Sequence, residues 1–104
     1  TAFLVNEKLE RNNPQIIKEI CNAYRASCNY VTQHPEEAAV LLVKHGILPE
    51  TNVAKKSILL CSINYVAAFA IEDEIYSYLK IFYDFNPESI GGKLPSENFI
   101  FQVF

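Results

Sequence analysis

A chain of 104 residues has room for one domain and no more. Half of its residues are hydrophobic, among them seven Phe and six Tyr, which supplies a core and apolar surface beyond it. A net charge of −3 with nine scattered Lys and Arg excludes the basic footprint of a nucleic-acid binder, and no apolar run nears the roughly 20 residues that span a bilayer.

Thr1-Ala2-Phe3-Leu4-Val5 reads as a short strand, and Asn6-Glu7-Lys8-Leu9 as a turn of helix. Asn13 suits an N-cap and Pro14 the first helical position, where a missing N–H costs nothing. Ile17, Ile20, Tyr24, Cys28 and Val31 then recur at three- and four-residue spacing, one apolar stripe along about five turns. Lys18, Asn22, Arg25 and Asn29 take the opposite face. Pro35 ends this helix and begins another, with Glu36 and Glu37 at the positive end of its dipole. Ala39, Leu42 and Val43 give the second helix an apolar face. Gly46 is placed as its left-handed C-cap, with Ile47 or Leu48 folding back on the helix.

A third helix is predicted from Glu50-Thr51-Asn52 to near Ser62, striped by Val53, Ala54, Ser57, Ile58 and Cys61, with Lys55 and Lys56 in solvent. Ile63-Asn64-Tyr65-Val66 alternates briefly and reads as a short extended segment. Ile71, Ile75, Tyr78, Leu79 and Phe82 hold helical period in a fourth helix, with Glu72, Asp73 and Glu74 in its first turn and an end near Phe85. Glycine and proline make Pro87 to Pro95 a loop. Phe99-Ile100-Phe101-Gln102-Val103-Phe104 reads as a last, exposed or edge strand. Both ends are apolar where chain ends usually fray in solvent. The expectation is therefore a single partial domain over residues 1–104, cut from a longer protein.

Residues suited to chemistry are sparse. Glu36-Glu37 and Glu72-Asp73-Glu74 sit at helix starts, where dipole pairing explains them better than acid–base catalysis. His34 and His45 have no third ligand at a metal-site spacing. Cys21 and Cys28, on one helix, stand about 10 Å apart, beyond the reach of about 7 Å that a disulfide allows. With Cys61 they read as small hydrophobes, and Cys28 as packing rather than a nucleophile. Ser89-Ile90-Gly91-Gly92 lacks the strand, helix and lysine of a phosphate loop. Most tyrosines fit amphipathic packing. Asn64 and Tyr65, polar and aromatic side by side on a non-helical connector, are the candidate ligand-binding residues.

Tyr78-Leu79-Lys80, the run from Tyr83-Asp84-Phe85-Asn86-Pro87 through Glu88-Ser89-Ile90-Gly91-Gly92-Lys93-Leu94-Pro95, and Asn98-Phe99 resemble the C-terminal end of solute-binding proteins of ABC importers. The branch is the nitrate, sulfonate, taurine and thiamine-precursor type. Phe3-Leu4-Val5, Asn13-Pro14-Gln15-Ile16-Ile17 and His34-Pro35-Glu36-Glu37-Ala38-Ala39 resemble the stretches that precede it in that family. Tyr65-Val66-Ala67-Ala68 departs by lacking a proline often found there.

The resemblance implies a mainly α chain with one or two short strands, the C-terminal fragment of a type II periplasmic-binding-protein-like α/β fold with two lobes. It implies a receptor that clamps a small organic or oxyanion solute and delivers it to an ABC permease. Such a receptor works outside the cytoplasm, in the periplasm or lipid-anchored at the cell surface, without catalysis or cofactor. No ligand contact is carried over by motif. A severed clamp is expected to bind its solute weakly, and exposed strand edges invite a homodimer. Two other readings compete: an enzyme resembling thiamine-pyrimidine synthases, which needs a histidine-rich site not visible here, and a stand-alone helical dimerisation module.

Overall fold

The computed structural model describes residues 1–102, which divide into two compact units, Thr1–Tyr65 and the stretch from Val66 onward.

In the first unit, Asn6 caps α1 (Glu7–Asn12) by accepting the Lys8 N–H at 2.8 Å, and Arg11 pairs with Glu7 one turn away. The helix α2 (Pro14–Gln33) starts at Asn13-Pro14 as predicted, but the Asn13 side chain makes no cap. Its backbone carbonyl takes the Ile16 N–H instead, at 3.1 Å. His34-Pro35 turns the chain into α3 (Pro35–Lys44). Gly46, at φ +69°, closes that helix in the left-handed region. The Ile47 N–H reaches the Leu42 carbonyl at 2.9 Å and the Gly46 N–H the Val43 carbonyl at 3.0 Å, the paired bonds of a Schellman end. Leu48, not Ile47, folds back on the core; Ile47 stays exposed.

The helix α4 (Thr51–Leu60) packs against α3. Ala38, Ala39, Ala54 and Ile58 are buried at this seam, with Val31, Leu42, Val43 and Leu48 packed against them. Alanines on both helices let the backbones approach closely, and Ile58 is the one large side chain buried among them. Lys55, expected in solvent, is half-buried and reaches Glu36 on α3 at 2.5 Å. Cys61 lies beyond the end of α4 as its exposed C-cap rather than on an apolar stripe. The α2 stripe is buried only in part. Ile17 and Cys28 are covered, whereas Ile20 and Tyr24 are exposed.

In the second unit a 3₁₀ turn, Ala68–Ile71, leads into α5 (Glu72–Phe85), whose acidic first turn and end before Asn86-Pro87 match expectation. Its stripe is only half covered: Ile75 and Leu79 are half-buried, while Tyr78 and Phe82 stand exposed with their rings edge to face at 5.0 Å. The predicted loop opens with a 3₁₀ turn, Pro87–Ile90, capped by Asn86, which accepts the Glu88 N–H at 3.2 Å. Gly91 and Gly92, both at φ +86°, end it.

No strand forms among the described residues, which corrects the fold expectation. The chain is a small all-helical assembly, not a two-lobed α/β periplasmic-binding fold. Thr1–Val5 and Ile63–Val66 have strand-like composition, but a strand exists only by exchanging hydrogen bonds with another, and these find no partner here. The last run contributes its first residue to a 3₁₀ turn, Glu97–Phe99, and residues 103 and 104 lie outside the described residues.

Candidate functional site

Of the two predicted site residues, Tyr65 is drawn into a cluster and Asn64 stands exposed beside it. Tyr65 is the last residue of the first unit and is half-buried against α2. Tyr24 meets its ring edge to face, with centroids 6.1 Å apart and planes at 65°. The Arg25 guanidinium carbon lies 4.9 Å from the centre of the same ring. Cys21 is the third neighbour, and Cys21, Tyr24 and Arg25 share one α2 face by their three- and four-residue spacing. Burial pushes the Tyr65 phenol above its ordinary value and the Cys21 thiol adds to this, while a hydrogen bond from Arg25, aided by its charge, opposes it.

The exposed Arg25 makes no ion pair among the described residues. Its own helix offers none, since the positions three and four residues away are Cys21, Asn22, Cys28 and Asn29. Its charge sits beside an aromatic ring, within the range of a cation–π contact, and its side chain also hydrogen-bonds the Tyr65 phenol. Sequence reasoning placed Arg25 on a face opposite Tyr24 and gave it no role. The signal that points to it is a helical arginine with no acid at either neighbouring turn.

The other candidates gather no chemistry. His34 lies against Tyr30, ring centroids 5.1 Å apart, as the cap residue between α2 and α3. Among the described residues no three His, Cys, Asp or Glu side chains group as a metal site requires. No helix there is long and apolar enough to cross a membrane. In the second unit, Leu79, Ile90, Leu94, Pro95 and Phe99 line an open apolar groove with Lys93 at its edge.

No protein-family model and no curated protein matches the chain. A crystal structure of an ABC transporter from Parabacteroides distasonis, at 1.75 Å resolution, is similar to it, with a TM-score of 0.74 and 29% sequence identity. The likeness covers 93% of this chain and 33% of that one, so this chain spans a third of the neighbour's length. At this coarse level the chain is linked to ABC transporters.

Proposed function

We propose that this chain serves in the solute-binding component of an ABC importer. The solute is a small organic molecule or oxyanion of the nitrate, sulfonate, taurine or thiamine-precursor kind, and the partner is an ABC permease at the outer side of the membrane. The observation that carries this reading is the similarity to an ABC transporter along 93% of the chain. The motif order from Phe3-Leu4-Val5 to Ile90-Gly91-Gly92-Lys93 supports it. Such a receptor performs no reaction. A solute stabilises its bound conformation by the difference in affinity between states, and the Tyr65 cluster offers an aromatic platform and an unpaired cation for that purpose.

Deleting the gene from the organism that encodes it, then measuring uptake of labelled nitrate, alkanesulfonates, taurine and thiamine-precursor pyrimidine, tests the assignment. Loss of uptake of one solute, restored by complementation, is expected. Unchanged uptake of all four classes overturns it.

A further inference from the structure

The helix α5 carries two apolar faces. Ile75 and Leu79 are half-buried, Leu79 in the groove with Ile90 and Phe99. Tyr78, Ile81, Phe82 and Phe85 recur at three- and four-residue spacing along another face. They stand 61%, 67%, 40% and 91% exposed. We infer that this second face is an interface between two copies of the chain, with their α5 helices side by side and antiparallel. The inference is independent of the transport reading.

Area and pattern both point to a second copy. A Phe or Tyr presents about 150–250 Å², so at these fractions the stripe leaves on the order of 500 Å² in water. That is more than a lone chain usually exposes in one patch. Two copies face to face would remove about 1,000 Å², the size at which specific interfaces begin. The stripe also reads alike from either end: an aromatic ring, two residues, Ile81-Phe82, two residues, an aromatic ring. A two-fold axis between Ile81 and Phe82 sets Tyr78 of one copy against Phe85 of the other, and Ile81 against Phe82. An isologous contact requires this self-complementarity.

Electrostatics sets the direction. Glu72, Asp73 and Glu74 fill the first turn, so parallel helices would press three carboxylates against three. Antiparallel helices hold the two acidic turns about 20 Å apart and oppose the helix dipoles. Lys80 and Asp84, paired at 2.6 Å, lie off the stripe by helical spacing and keep their water. Tyr78 and Phe82 already meet edge to face at 5.0 Å, which lowers the cost of ordering them on contact.

Sedimentation velocity of the 104-residue chain from about 10 to 500 μM tests this, because an interface near the lower size limit is weak. A monomer that passes to a dimer as concentration rises is expected. Phe85→Ser and Ile81→Ser, both at exposed positions, are expected to weaken the dimer at least about tenfold each, with circular dichroism unchanged. A monomer throughout the range leaves the stripe to another kind of partner and overturns the proposal. A dimer that survives both substitutions uses another face and also overturns it. Glu74→Cys, in a Cys21→Ser and Cys61→Ser background, is expected not to crosslink to its counterpart through a short bismaleimide. Crosslinking there would bring the acidic turns together and overturn the antiparallel arrangement.

Discussion

The Ser96 carbonyl accepts two hydrogen bonds, one at 2.6 Å from the Tyr76 hydroxyl on α5 and one at 3.0 Å from the Phe99 N–H in its own 3₁₀ turn. The first joins residues twenty apart and ties the glycine-proline segment to the helix before it. Tyr76→Phe removes that tie, and the Phe99 amide is expected to exchange faster with solvent, read by hydrogen–deuterium exchange.

Burial raises the Tyr76 phenol above its ordinary value of 10, and the Glu72 and Glu97 carboxylates raise it further. The folded chain thus holds this proton more tightly than the unfolded one. The stabilisation is complete below pH 10 and is lost as pH climbs through the higher folded value. In an absorbance titration, Tyr76→Phe is expected to remove part of the late-rising phenolate signal. An unchanged late phase would contradict this.

Glu36 behaves with the opposite sign. Its hydrogen bond from Lys55, aided by the Lys55 charge, holds the carboxyl below its ordinary 4.5. The pair therefore supports the fold above pH 4.5, and the support fades as pH falls through the lower folded value. Glu36 is largely exposed and Lys55 only half-buried, so the effect is small and salt-sensitive. Glu36→Gln is expected to flatten this part of the acid limb in denaturant midpoints measured from pH 6 downward.

The α3–α4 seam carries a larger cost. Ile58 is 6% exposed among Ala38, Ala39 and Ala54, so Ile58→Ala leaves a cavity worth about 3 kcal/mol. Ala54, fully buried, has no room to grow, and Ala54→Leu is expected to cost about 2 kcal/mol through overpacking. Urea unfolding of each variant checks both figures. A tolerated Ala54→Leu would mean that the two helices are not closely apposed.

Gly46 separates conformation from space. Beyond Gly46 and its two chain neighbours, no heavy atom lies within 4 Å of where a Cβ would stand, so Gly46→Ala meets no tertiary clash. The left-handed φ of +69° still penalises it by about 1 kcal/mol. Gly46→Asn is expected to lose less, because asparagine tolerates that region better. Equal losses for the two, by thermal unfolding, would argue against a backbone origin.

The sequence by itself determined where the chain turns. Pro14 and Pro35 start helices, Gly46 closes one, and the acids at 72–74 with Asn86-Pro87 bracket α5, because each signal acts over one helical turn. Tertiary structure alone decided which apolar faces are covered, leaving Ile20 and Tyr24 exposed between the buried Ile17 and Cys28 of one stripe. It also denied the strand-like runs any ladder, and it set Tyr65 beside Arg25 and Lys55 beside Glu36. Burial, strand pairing and cation–aromatic contact each need a second group far along the chain, and no local pattern specifies which group arrives.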